Sequence, residues 1–311
     1  MESVQILLSV YKPNKDYLIK QLQSLNTQNY PNLELLVFDD AGSFSPCDSS
    51  VFDEYITNFT YRLLPYESKN LGYAKAFERL INASTGDYLA FCDQDDIWES
   101  NKISSCVHEM KKSHSLCCAT DKMIIDSHDN VVKESARNGS DKNFNSWHTG
   151  DDICKYNLYT TFAEGMSMIV NGNFARNAMP ISKYTGHDKW LIACAATEGI
   201  VSFIDEPLVR YRRHGNNVSG ILPGINSKHD FILKRVNNYR CILNDFFKKY
   251  PYHKDRDEIE KFQRAQEKGN IFEINKYRYL APDLVRFETV LFCVPDGISP
   301  LLFQLLRKIT K

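Results

Sequence analysis

The chain has 311 residues, of which 43% are hydrophobic and 25% charged, and its formal net charge is −1. Those proportions belong to a chain that buries a core, so extended disorder and a membrane-embedded bundle are excluded. The near-neutral charge argues against a dedicated nucleic-acid binder, which would carry a basic excess.

The chain opens on Met1-Glu2-Ser3-Val4, without the basic stretch and cleavage site of a signal peptide, and no apolar run is long enough to span a bilayer. A cytoplasmic location is therefore expected. The nine cysteines fall at irregular spacings with no C-x-x-C, a pattern of buried, reduced thiols rather than of disulfides or zinc.

In chain order, short apolar runs at residues 4–10, 33–38, 61–64 and 88–92 read as strands. Helical periodicity at 17–25 and 74–81 separates them, with Asn70-Leu71-Gly72 as the turn into the second helix. This alternation predicts βαβ units and an α/β fold with a mostly parallel sheet. Ligands on such sheets lie beyond the carboxyl ends of the strands. That rule selects Ser9-Val10-Tyr11, Asp39-Asp40 and Asp93-Gln94-Asp95-Asp96.

Residues 127–152 are polar and rich in Ser, Asn, Asp and Gly, which reads as a long loop. An apolar stretch at 166–170, a helix starting near Asp188 and a strand pair at 201–204 and 208–211 would complete the domain. Beyond residue 227 the pattern becomes amphipathic helix, at 231–247 and 255–268. The boundary is expected at 222, giving a domain over 1–222 and a helical region over 223–311. The last stretch, 298–311, is apolar on one side and carries only basic charges, so it either lies in a lipid headgroup layer or docks on its own domain.

Three clusters carry chemistry. The strand at 88–92 ends in Asp93, Asp95 and Asp96, a carboxylate density that suits a hard divalent ion, Mn²⁺ or Mg²⁺, completed by phosphates and water. Asp96 reads equally well as a cap for a helix starting near Glu99. Tyr211-Arg212-Arg213-His214 places cationic and imidazole groups after a strand, where they could stabilise a departing diphosphate. Asp188 stands at an expected helix start, and a helix N-terminus favours the ionised carboxylate that a general base needs; capping that helix is the alternative role.

Six motifs stand in register: Ser9-Val10-Tyr11-Lys12-Pro13, Phe38-Asp39-Asp40-Ala41-Gly42-Ser43, Asn70-Leu71-Gly72, Phe91-Cys92-Asp93-Gln94-Asp95-Asp96-Ile97-Trp98, His187-Asp188-Lys189-Trp190 and Tyr211-Arg212-Arg213-His214-Gly215-Asn216-Asn217. Together they resemble family 2 glycosyltransferases of bacterial polysaccharide synthesis (O-antigen or capsule), rhamnosyltransferases among them. The resemblance implies a GT-A fold, Rossmann-like with helices on both faces of the sheet, plus the C-terminal helical extension. It implies that Ser9, Tyr11, Asp39, Asp40, Asn70, Gly72, Asp93 and Arg213 hold a UDP- or dTDP-linked sugar. Asp95 and His214 would hold the metal, Asp188 would be the base of an inverting transfer, and Glu164, Trp98 and Trp190 would lie on the acceptor side.

The acceptor would be a saccharide, commonly lipid-linked, met at the inner face of the membrane. Two departures stand out: the usual Asp-Asp-Gly-Ser is Asp39-Asp40-Ala41-Gly42-Ser43, and the usual Gly-Cys-Thr-Met is replaced at Gly165-Met166-Ser167-Met168. The rival readings are a sugar-phosphate nucleotidyltransferase, whose Gly-rich first loop is missing here, and a glycan- or partner-binding module that has lost catalysis.

Overall fold

The computed structural model describes residues 2–40, 50–67, 69–137, 147–214 and 224–309, with side chains to 305. The chain divides into two compact units. The first comprises Met1–Cys154 and Thr161–Gly215; the second comprises Lys155–Thr160 and Asn216–Lys311. The expected boundary at 222 lies outside the described residues, and the short segment 155–160 joins the second unit rather than the first.

The first unit is built on one sheet. Strands β1 (Val4–Val10), β2 (Leu33–Asp39), β3 (Thr60–Leu63) and β4 (Tyr88–Cys92) pair in parallel in the order β3-β2-β1-β4. Helices α1 (Lys15–Asn26), α2 (Ser50–Tyr55) and α3 (Tyr73–Ala83) make the crossovers. Because β1 passes to β2 on one side and has β4 on the other, the strand order reverses there, opening a crevice beyond the carboxyl ends of β1 and β4.

The sheet continues past β4 through a two-residue strand β5 (Ile97–Trp98), helix α4 (Lys102–Ser113), β6 (Cys117–Ile125), β7 (Val131–Lys133), α5 (Cys154–Asn157), β8 (Met168–Asn171), α6 (Gly172–Asn177), α7 (His187–Glu198) and β9 (Val201–Arg212). Its order runs β4-β8-β6-β9-β5, with β7 on β6. Here β8 is antiparallel to both β4 and β6, β9 is parallel to β6, and β5 is antiparallel to β9. Two expectations are corrected. The strand pair at 201–211 is one continuous strand, its register against β6 shifting around Asp121. The loop at 127–152 contains β7, paired with β6 across a turn at Asp126–Asn130.

Local chemistry sets the crossover ends. The Asn14 side chain accepts the amides of Asp16 (3.0 Å) and Tyr17 (3.2 Å) and so caps α1. Helix α3 begins at Gly72, whose φ of 79° suits a residue without a Cβ and which has no side chain to cap with. Val4, Ile6, Leu8 and Val10 of β1 pack with Leu35 and Val37 of β2 and Ala90 and Cys92 of β4 in one buried core. Cys92, Cys106, Cys117, Cys118, Cys154 and Cys194 are buried free thiols.

The second unit is helical: α8 (Lys228–Phe231), a π-helical segment Ile232–Val236, α9 (Asn237–Lys249), α10 (Arg256–Glu267), α11 (Ile271–Lys276), α12 (Pro282–Cys293) and α13 (Ser299–Ile309). The helix expected at 231–247 thus starts with π-type bonding. Gln263 Nε2 donates to Val236 O at 3.0 Å, at the end of that segment. Phe231, Val236, Leu291 and Phe303 form this unit's own core.

Candidate active site

Parallel pairing places the ends of β2, β1 and β4 side by side. Val10 stands opposite Asp39, Leu8 stands opposite Cys92, and Asp40 N donates to Val10 O at 2.8 Å. Ser9, Tyr11, Asp39, Asp40 and Asp93 therefore meet at one sheet edge. Gln94, which sequence reasoning passed over, clips two of these ends together: its Oε1 accepts from Tyr11 N at 2.7 Å and its Nε2 donates to Tyr11 O at 3.1 Å. The Tyr11 ring stays half exposed.

Asp40 is buried and faces along the sheet edge. Its carboxylate accepts from Asn70 Nδ2 (2.9 Å), Leu71 N (2.6 Å) and Gly72 N (2.9 Å). Asn70 and Gly72 are thus brought to Asp40, and Tyr73 follows as the first residue of α3.

The carboxylates beyond β4 divide into two groups. Asp96 is fully buried and does not cap α4, which starts at Lys102 after Asn101. Its Oδ1 accepts from Arg212 N at 2.9 Å, and burial, then Asp95 and Asp93, holds its carboxyl well above the usual range. Asp93 belongs to the other group and is pushed up to about 7, first by burial and then by Asp95, Asp188 and Glu164. The charges that act on Asp93 thus come from the turn after β4, from the segment before β8 and from the start of α7.

Across the sheet, β9 delivers His214 and Arg212. His214 Nε2 lies 2.8 Å from Asp95 Oδ2, so the two expected metal ligands are in direct contact. Arg212, not Arg213, is the inward residue. It is wholly buried, donates from Nε to Asp95 O (2.8 Å) and from Nη1 to Asp126 O (3.2 Å) and to the Asp129 carboxylate, and stacks over Tyr17 at 4.4 Å. The period of two along a strand turns Arg213 outward, where it is exposed. No local signal separates Arg212 from Arg213; the choice is legible only once the register of β9 with β6 is known.

Asp188 sits in the first turn of α7 with its Oδ1 accepting Lys189 N at 2.7 Å, and burial pushes it up to about 6. The preceding His187 is buried against Phe77 (3.9 Å between ring centres) and Phe91 (4.8 Å), and burial pushes it down to about 3. Its ring presses on Gly165, where a Cβ would meet His187 Nε2 at 2.3 Å. The neighbouring Glu164 is half exposed and paired with Lys122. Trp98 and Trp190 are corrected: both are core residues, 2% and 3% exposed. Lys102 packs 3.4 Å over the Trp98 ring, and Trp190 Nε1 donates to Ala178 O at 2.9 Å. Neither indole is open to solvent.

The donor set fits a hard divalent cation. Carboxylates are its ligand type, and a cation there would offset the burial and the neighbouring charges that raise Asp93. Among the described residues no three His, Cys, Asp or Glu side chains surround a common point. Mg²⁺ sites commonly use one or two carboxylates and complete the shell from substrate phosphates.

Comparisons with known proteins agree with this architecture. The chain is 26% identical over 211 residues to dTDP-rhamnosyl transferase RfbG of Shigella flexneri, covering 65% of this chain and 70% of that one. It is 29% identical over 113 residues to the Escherichia coli UDP-Glc:alpha-D-GlcNAc-diphosphoundecaprenol beta-1,3-glucosyltransferase WfaP, covering 36% and 42%. The crystal structure of Staphylococcus aureus TarS 1-349 in complex with UDP superposes with a TM-score of 0.58 at 14% identity, over 87% of this chain and 72% of that one. The fold is therefore GT-A with added C-terminal helices. The sequence profile of Glycosyl transferase family 2 matches residues 6–173, more than half of the chain, so the chain belongs to glycosyl transferase family 2.

Proposed function

We propose that the chain moves a sugar from a UDP- or dTDP-linked donor to a hydroxyl of a saccharide acceptor with inversion at the anomeric carbon. The observation that carries this is the placement of the raised carboxylate of Asp188 at a helix start, near enough to Asp93 to be among the charges that raise it. Asp188 takes the proton from the acceptor hydroxyl, and that oxygen bonds to the anomeric carbon. The bond to the diphosphate oxygen breaks, and its electron pair leaves with the nucleoside diphosphate. One base suffices for such a displacement.

Ser9, Tyr11 and Asp39 hold the nucleoside, and Asp93 its ribose. Asp95 and His214 would hold Mn²⁺ or Mg²⁺, which supplies charge to the diphosphate. The relatives' names support both nucleotides: RfbG is a dTDP-rhamnosyl transferase, and WfaP uses UDP-Glc. WfaP's diphosphoundecaprenol acceptor supports a lipid-linked saccharide for this chain too.

The end of the chain supports a peripheral membrane contact. Phe303 of α13 is buried against Phe287 (5.9 Å between ring centres), so the helix docks on its own unit. Ile298, Leu301 and Leu305 are each more than half exposed, leaving an apolar strip that, with the basic residues of the same stretch, suits an anionic bilayer surface. No helix of the described residues is long and apolar enough to cross a membrane.

The test is a panel of UDP- and dTDP-sugars with the full chain and Mn²⁺, with product configuration read by NMR. Inversion with one nucleotide class is expected; a product of retained configuration overturns the mechanism.

A further inference from the structure

Tyr73 was not singled out by its sequence motif, yet the fold holds it firmly at the site. The Asp40 carboxylate fixes Leu71 N and Gly72 N, and Gly72 turns the chain with φ 79°, so the backbone leading into Tyr73 is anchored on the sheet edge. Its side chain is nonetheless 53% exposed. A carbon on the Cα of Gly186 would lie 2.5 Å from Asp188 Oδ1 and 3.3 Å from both Cε2 and the hydroxyl oxygen of Tyr73. A Cβ has no room at Gly186, so the phenol and the Asp188 carboxylate border the same small space beside its Cα.

The chemistry around that space is specific. Asp188 offers acceptor oxygens. The Tyr73 hydroxyl makes no hydrogen bond among the described residues. Partial burial, then the charges of Asp188 and Asp93, pushes it up, so it remains a donor at neutral pH. Its ring supplies an apolar face. Acceptor, donor and apolar face within a few ångströms match a pyranose, which presents aliphatic C–H groups on its face and hydroxyls at its rim.

We infer that Tyr73 is the aromatic wall of the acceptor subsite, its ring packing against the acceptor sugar while its hydroxyl donates to a sugar hydroxyl next to the one that Asp188 deprotonates. This rests on the assignment of Asp188 as the base. It makes Tyr73 a specificity-determining residue: water needs no wall, whereas a sugar does.

The experiment uses the full chain saturated with UDP or dTDP and a panel of methyl glycosides (glucoside, N-acetylglucosaminide, rhamnoside), with binding followed by saturation-transfer NMR. Tyr73→Phe should weaken binding about threefold, the effect of one neutral hydrogen bond. Tyr73→Ala should weaken it about tenfold or more, with nucleotide affinity and thermal midpoint unchanged. Glycoside binding by Tyr73→Ala equal to wild type, loss of nucleotide affinity in that variant, or no binding of any glycoside by the wild type overturns the inference. Failure of the underlying assignment reads differently: Asp188→Asn would then transfer sugar at the wild-type rate.

Discussion

The carboxylate of Asp40 holds the turn into helix α3 from a neighbouring strand, accepting Leu71 N at 2.6 Å and Gly72 N at 2.9 Å. Gly72 has no side chain to cap α3, and the carboxylate of a residue 32 positions earlier fixes the turn and places negative charge near the positive end of the helix. Asp40→Ala should therefore cost about 2–3 kcal/mol of stability, the scale of hydrogen bonds to a charged group. Denaturant unfolding measures it. Unchanged stability with weakened donor binding would return Asp40 to a purely nucleoside-binding role.

Arg212 ties the Asp95-Asp96 turn to the Asp126–Asn130 turn from a fully buried position. Arg212→Met leaves the Asp95 and Asp126 carbonyls without this donor and should destabilise the protein by about 3 kcal/mol or more. Arg212→Lys should rescue little, because an ammonium cannot supply the planar fork that reaches two turns at once. Thermal unfolding of both variants checks this, and full rescue by lysine would contradict it.

Asp188 links activity to pH. Its carboxyl is pushed up to about 6 from 3.8, so the base form needed for transfer fills as pH rises through about 6, and kcat/KM should rise over that window. The same shift works against stability. A raised carboxyl stabilises the fold fully below about pH 4, and that contribution is lost as pH rises through about 6. Asp188→Asn should then lose about 10²- to 10⁴-fold in turnover. It should gain about 1–3 kcal/mol at pH 7, a gain absent at pH 4. A variant that is both inactive and less stable at pH 7 would contradict the second half.

Gly165 and His187 form a contact that tolerates no added carbon on the glycine, since the Cβ would stand 2.3 Å from His187 Nε2. Gly165→Ala should cost about 1–3 kcal/mol as overpacking. His187→Ala should relieve most of that cost in the double variant, which a double-mutant cycle reads directly. Additive losses would show that the strain lies elsewhere.

Glu288 of the helical unit is fully buried and, among the described residues, bonded through Oε1 alone, to Gln266 Nε2 at 2.7 Å, and burial pushes it up to about 8. At pH 7 the folded chain holds it protonated while an unfolded glutamate is ionised, so Glu288→Gln should be about neutral at pH 4 and stabilising at pH 7. The carboxyl's contribution is fully present below about pH 4.5 and is lost as pH rises from there through about 8, so the wild type should lose stability over that window and the glutamine variant should not. Thermal midpoints at pH 4 and pH 9 decide.

The local sequence determined the repeating architecture of the first unit. The strands expected at 4–10 and 88–92 are β1 and β4 residue for residue, because a short apolar run bounded by polar residues needs no distant partner to be recognised. The same locality put Asp93 and Asp95 beyond a strand end, and Asp188 at a helix start. What it could not supply was pairing across long separations. Arg212 rather than Arg213 faces the turn after β4 because β9 takes its register from β6, which sets Arg212 opposite Ile125. Trp98 and Trp190 carry nothing in their own sequence to say that they are core residues, since an indole serves a ligand face or a core equally well until its neighbours are assembled. Asp40 and Gly72, Gln94 and Tyr11, and Tyr73 and Asp188 are brought together only when the crossovers close, 32 to 115 residues apart in the chain. Periodicity is written within a turn of helix or a few residues of strand, whereas a site is made where the ends of several elements meet, and only the packed sheet decides which ends those are.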